Sequence, residues 1–228
     1  MTKTLQLDVT PTEHITATVY PPTGKRLDIR LILGHGAGTN QSHPAIVRVA
    51  TGLAVRGLDV VTFNFVYSEA RKRVPDRTDK LEAAYTRVIR AAREGSFGAA
   101  DAKLAIGGRS MGGRIASHLA AQDAAGELGV AALVLLGYPL HPPGQPEKLR
   151  VKHLAAIRVP TLFLQGSRDA FGTPDELRPF LQPLEGRAEL HVVEGGDHSF
   201  NVPKKLGPPQ SEVEAAIFDK VASWLARL

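Results

Sequence analysis

Ser110 stands at the centre of Gly108-Arg-Ser-Met-Gly112, a serine with glycine two residues away on each side. The apolar run Leu104-Ala-Ile106 leads into it, and Ile115, Ala116 and Leu119 continue from it at helical spacing. A serine on a tight strand-to-helix turn needs neighbours without side chains, because its backbone is strained and helix and strand approach closely. Gly107 and Gly113 add further room. The start of a helix also favours negative charge developing at that point. The chemistry implied is nucleophilic attack by a hydroxyl, which requires a base to take its proton.

The chain has eight histidines. His14 lies in an alternating segment near the amino terminus, His118 in the helix after Ser110 and His191 within an apolar run, all places where a structural role suffices. His198 differs. It occupies Glu194-Gly-Gly-Asp-His-Ser-Phe200, between the last apolar run and the last helical pattern, where two glycines let a loop turn and present an imidazole. In a parallel sheet this is the carboxyl edge, where ligands bind and where Ser110 also falls. A third group must hold the imidazole in one tautomer. Asp169 ends the run before, in Gln165-Gly-Ser-Arg-Asp169, and projects from the same edge. Asp175 and Glu176 belong to a helix cap, and Asp197 is too close in sequence to His198 to aim at its ring. Such a base loses its function when protonated, so the rate is expected to rise with pH.

Acyl transfer also needs hydrogen-bond donors for a developing oxyanion. Gly34-His-Gly-Ala-Gly38 follows an apolar run and can turn backbone N–H groups toward a ligand, so the N–H groups of Ala37 and Met111 are the expected pair. A dinucleotide fingerprint starting at Gly34 fails, because glycine would be required where Thr39 stands. His35 is expected to support this loop through a hydrogen bond. His35, Gly36, Arg109, Tyr138 and His141 are the further candidates for lining a pocket.

These groups need a frame that brings distant residues to one edge. Short apolar runs recur at Ile29–Leu33, Val60–Phe65, Lys103–Ile106, Ala132–Leu136, Thr161–Leu164 and Glu189–Val193, and most end near glycine. Runs without a polar face read as parallel strands covered on both sides. Between them Leu81, Tyr85, Val88, Ile89 and Ala92 fall at helical spacing, as do Val213, Ile217, Val221, Trp224, Leu225 and Leu228. Thr173-Pro-Asp-Glu176 and Ser211-Glu-Val-Glu214 read as capping boxes. Alternating strand and helix predicts an α/β fold with a doubly wound, mostly parallel sheet. Leu5–Val9 and His14–Tyr20 alternate around a Thr-Pro turn and predict an antiparallel hairpin at the amino-terminal edge. Only 24 residues separate Leu136 from Thr161, room for a loop and one short helix over Lys148–Ile157 but not for a lid.

The chain of 228 residues contains no repeat or linker and reads as one domain over 1–228. It has no cysteine, which excludes disulfide scaffolds, thiolate catalysis and cysteine-ligated metal. The first residues do not read as a signal peptide, so none is expected, and the longest apolar run, Val130–Leu136, is far short of a membrane span. A cytoplasmic protein without membrane association is expected. The net charge is +5, but lysines and arginines are scattered apart from Arg71-Lys72-Arg73 with Arg77 nearby. No aromatic residues interleave that cluster and no nucleic-acid-binding motif accompanies it, so a solvated loop or a patch steering anionic substrates is expected, and no nucleic-acid partner.

Taken together, the HGAG loop, the GRSMGG turn and the GSRDAF and GGDHSF segments resemble the α/β-hydrolase superfamily over essentially the whole chain, in the order Ser110, Asp169, His198. The nearest likeness is to its small dienelactone-hydrolase-like branch, which includes proteins related to testis-expressed and histone-acetyltransferase-complex subunits. Gly137-Tyr-Pro-Leu-His-Pro-Pro143 resembles the same subgroup. The resemblance implies nucleophile Ser110, base His198, acid Asp169, oxyanion donors Ala37 and Met111, and neither metal nor organic cofactor. Dienelactone hydrolases carry cysteine at the turn, whereas this chain carries Ser110, which points toward a serine enzyme acting on small esters. A peptidase or acyltransferase on the same residues, or a non-catalytic binding module, are the alternatives.

Overall fold

The computed structural model describes residues 2–98, 100–123, 125–184 and 186–228. The alternating amino-terminal stretches pair as an antiparallel hairpin of β1 (Lys3–Thr10) and β2 (Glu13–Tyr20). The apolar runs become β3 (Ile29–Gly34), β4 (Asp59–Phe63), β5 (Lys103–Arg109), β6 (Val130–Leu136), β7 (Thr161–Gly166) and β8 (Ala188–Val193). They form one eight-stranded sheet in the order β1-β2-β4-β3-β5-β6-β7-β8. Strands β3 to β8 run parallel, and β2 joins β4 antiparallel, so the hairpin sits at one edge.

Both faces of this sheet are covered, as the runs demanded. On one side α1 (Pro44–Val55) and α6 (Gln210–Leu225) pack Leu53, Ile217, Phe218 and Trp224 against Leu31 and Leu33. On the other side α3 (Thr78–Arg93) and α4 (Met111–Gln122) pack Tyr85, Val88, Ile115 and Leu119 against Ile32 and Ile106. The period of two within β3 therefore divides one run between two cores. The short α2 (Val66–Glu69) and α5 (Pro174–Leu181) complete the set, and Thr173 and Glu176 cap α5 reciprocally. Among the described residues no helix is long and apolar enough to cross a membrane.

Three local expectations fail for tertiary reasons. Lys148–Ile157 is not a helix; it holds only a single 3-10 turn, Leu154–Ala156. The Arg150 N–H donates to the Leu140 carbonyl at 2.8 Å, and the Arg150 carbonyl accepts from the Tyr138 hydroxyl at 2.6 Å, so helix-forming groups are already claimed. Ser211 caps nothing: α6 begins one residue earlier, after Pro209, whose carbonyl takes the first helical bonds. β4 ends at Phe63 because Asn64 turns away, its side chain bonded to the Gln41 N–H and to Glu69.

Candidate active site

The chain leaves β5 and enters α4 at Ser110, which adopts φ 48° and ψ −115°, a conformation rare for any residue with a side chain. Close packing enforces it. A Cβ on Gly108 or on Gly112 would collide with the Gly34 carbonyl, so the first turn of α4 rests directly on the ends of β3 and β5. From beneath, the fully buried Tyr85 of α3 places its hydroxyl 2.8 Å from the Ile32 carbonyl and 2.6 Å from the Gly107 carbonyl, and accepts from the Gly107 N–H. Burial raises the Tyr85 pKa, keeping this cross-link a neutral hydroxyl. The periodic pattern marked Tyr85 as a core residue; its hydroxyl also fastens the strand ends under Ser110.

The Ser110 Oγ lies 2.9 Å from Nε2 of His198, and Nδ1 of His198 lies 2.8 and 3.0 Å from the two oxygens of Asp169. Three side chains from the ends of β5, β7 and β8 thus meet at the carboxyl edge of the sheet. Asp169 is buried with its remaining lone pairs occupied: Oδ2 accepts from Gln165 Nε2 at 2.9 Å and Oδ1 from the Phe171 N–H at 2.8 Å. A buried carboxylate with every oxygen bonded and a histidine in contact avoids the usual cost of burying a lone charge. The Phe171 ring stacks on the imidazole with centroids 4.1 Å apart, fixing its plane. On the opposite side Gly137 leaves room, since a Cβ there would stand 3.0 Å from the His198 carbonyl. Asp197, the neighbour in sequence, accepts instead from the N–H groups of Ser199 and Asn201 and shapes the loop.

Ser110 and His198 open onto a cavity of about 530 Å³, also lined by Gly36, Ala37, Met111 and Arg109. Met111 is the first residue of α4, so its N–H has no acceptor within the helix. Three of the expected lining residues stand elsewhere. His35 is completely buried behind the loop: Phe65 N–H donates to its Nε2 at 3.3 Å, and its Nδ1 faces the Gly36 carbonyl at 2.8 Å. Those partners fix a neutral ring with the proton on Nδ1, and burial pushes its pKa down to about 4. Tyr138 is buried under Phe163, its hydroxyl committed to the Arg150 carbonyl. His141 turns inward against the Pro142 carbonyl. The Tyr138 hydroxyl and one ring nitrogen of each histidine thus meet a backbone carbonyl inside the fold.

Sequence reasoning passed over Gln165, Phe171, Arg114 and Arg150. The last three line the cavity, while Gln165 supports it from within. For Arg114 a signal existed: it lies four residues after Ser110 on the same helix, hence on the same face. Among the described residues no group of three or more His, Asp or Glu side chains is arranged to hold a metal ion.

Comparison with known proteins places this geometry. A family model described as an alpha/beta hydrolase domain matches residues 27–226. Among solved structures, a serine hydrolase without a lid from Xanthomonas campestris superposes with a TM-score of 0.74 at 20% identity, covering 98% of this chain and 94% of that one. A dienelactone hydrolase from Anabaena variabilis gives 0.71 at 19% identity, covering 100% and 97%. An esterase domain from Rhodothermus marinus gives 0.71 at 15% identity, covering 100% and 98%. The likeness to these structures is one of fold.

Proposed function

The chain belongs to the alpha/beta hydrolase family, and from that premise we propose that it is a serine hydrolase cleaving small carboxylic esters. The observation that carries the proposal is the continuous chain of contacts, 2.9 Å from Ser110 to His198 and 2.8 Å from His198 to Asp169, opening onto the cavity.

Asp169 accepts from Nδ1–H of His198, which leaves Nε2 free to accept the Ser110 hydroxyl proton. The Oγ attacks the ester carbonyl, and the oxyanion that forms is held by the N–H groups of Ala37 and Met111. Collapse breaks the bond to the alkoxy oxygen, which leaves as the alcohol with the proton from Nε2. Water then gives a proton to Nε2 and attacks the acyl-Ser110 ester, and the carboxylic acid departs as Oγ recovers its proton. Seen this way, Gln165 and Phe171 are positioning residues that hold Asp169 and the imidazole plane. The absence of a lid suits short or exposed acyl groups and predicts no interfacial activation.

Ser110→Ala tests the assignment. It removes one exposed-edge hydroxyl and should lower kcat for 4-nitrophenyl butyrate by about 10⁴-fold or more while the melting temperature stays near that of the wild type. A fluorophosphonate probe should label Ser110 in the wild type alone. Turnover surviving in the variant would remove Ser110 from the reaction.

A further inference from the structure

Three arginines line the cavity around Ser110: Arg109, Arg114 and Arg150. Among the described residues none of the three makes an ion pair with a carboxylate. Arg114 has only a 3.4 Å contact to Nε2 of His118, and Arg150 only a 3.4 Å bond to the Pro139 carbonyl. The side chain of Arg109 has no hydrogen-bond partner among the described residues. All three are half-buried. The nearby acids are committed elsewhere: Glu82 to His118 at 2.9 Å and Asp76 to the Tyr67 N–H at 2.9 Å.

Three arginines stand against one lining carboxylate, Asp76, so positive charge predominates at the cavity. Burial lowers the Arg114 pKa and the nearby charge of Arg150 lowers it further; Arg109 is lowered by burial and then by Arg48. Pro75 and Asp76 form part of the cavity wall, the exposed Arg71-Lys72-Arg73 segment precedes them in the chain, and the Arg73 carbonyl lies beside Gly38. Arg114 follows Ser110 by four residues, a rise of about 6 Å along α4, and side chains on a helix lean back toward its amino terminus. A group held by Arg114 therefore lies a few bonds from a carbonyl placed at Oγ.

We propose that this site selects esters bearing a second, anionic group, a carboxylate or a phosphate, held by Arg114 and Arg150 within one helical turn of Ser110. The inference rests on Ser110 being the nucleophile and names the substrate class of that site. Guanidinium forks bind both kinds of anion, and at the pH of assay the anion and the arginines are all charged.

The test compares each anionic ester with its own methyl-blocked form: 4-nitrophenyl hemiglutarate for a carboxylate on the acyl side, 4-acetoxybenzoate for one on the alcohol side, and 4-nitrophenyl 4-phosphonobutanoate for a phosphate-like group. At least one pair should show a preference of about tenfold or more in kcat/KM for the anion. That ratio should fall toward one in Arg114→Gln and in Arg150→Gln, the second a loop residue whose replacement spares α4. The identity of the preferred pair separates carboxylate from phosphate. Ratios near one in every wild-type pair, or a preference unchanged in both variants, would overturn the proposal. Calorimetric titration of glutarate and of phosphate separates this failure from failure of the hydrolase reading. Binding by the wild type that both variants lose supports the anion site even if no ester is turned over and Ser110 escapes labelling. No binding of either anion by the wild type, without an anionic preference in turnover, sinks the site even if neutral esters are cleaved.

Discussion

Helix α4 carries two serines, and each lies against a histidine. Ser110 at its start sits 2.9 Å from His198, which is backed by Asp169. Two turns along, Ser117 sits 2.7 Å from Nε2 of His153, whose ring packs edge-on to His118, itself 2.9 Å from Glu82. By residue type the second cluster has the parts of the first. What differs is where the hydroxyl proton points. Ser117 donates to the Arg114 carbonyl at 2.7 Å, the backbone partner a mid-helix serine finds by default, so its oxygen accepts from His153. Ser117 is fully buried. Ser110, lifted out of helical geometry at φ 48°, faces the cavity, and its hydroxyl meets the imidazole and, among the described residues, no backbone carbonyl. A hydroxyl, an imidazole and a carboxylate near one another are thus insufficient; access and the direction of the hydroxyl proton separate the two clusters.

Asp169→Asn should produce the larger break in this contrast. Whichever way the amide turns, its N–H₂ meets one of two donors, Gln165 at Oδ2 or the Phe171 N–H at Oδ1, and it favours the wrong tautomer of His198. A fall in kcat of about 10³ to 10⁴-fold on a neutral ester is expected, as for loss of the orienting acid in other triads. Retention of wild-type kcat would show that the imidazole needs no carboxylate.

Acid should act on the second cluster through His153. Burial, with help from the neighbouring charges of His118 and Arg114, pushes its pKa from 6.5 down to about 3. Between those values the unfolded chain binds a proton that the native ring refuses, so this contribution to stability is intact above pH 6.5 and is lost as pH falls toward about 3. Urea midpoints measured over that window should decline for the wild type and decline less for His153→Gln. Parallel curves would mean that His153 takes up its proton without penalty. His35, at about 4, adds a decline of the same sign in both proteins.

The smallest effect is expected at Ser117. Ser117→Ala removes two internal hydrogen bonds, to the Arg114 carbonyl and from His153, and leaves the His153 donor without its acceptor, a loss of about 1–3 kcal/mol in stability. Turnover of 4-nitrophenyl butyrate should stay within about twofold of the wild type, as for a change outside the reacting groups. A kinetic loss rivalling that of Ser110→Ala would erase the distinction between the clusters.

Much of the frame was legible because backbone and burial rules act locally. The runs at Ile29–Leu33 and Thr161–Leu164 have no polar face, so they had to lie inside a sheet covered twice, and they do. Thr173 and Glu176 cap α5 because the capping box closes within four residues. Two expectations failed through partners ten or more residues away: Arg150 within Lys148–Ile157 is bonded to the Leu140 carbonyl and to the Tyr138 hydroxyl, which costs the segment its helix and turns Tyr138 inward. The stacking of Phe171 on His198 and the hold of Gln165 on Asp169 leave no local trace either.

From the sequence alone came the glycine spacing around Ser110, the alternation of strand and helix, and the placement of Ser110, Asp169 and His198 at strand ends, because each follows from one residue and its near neighbours. Only the tertiary structure decided which serine on α4 meets an imidazole at the cavity and which arginines converge there without an ion pair among the described residues. Those properties depend on distances between elements far apart in the chain, and on which backbone carbonyl reaches a polar atom first.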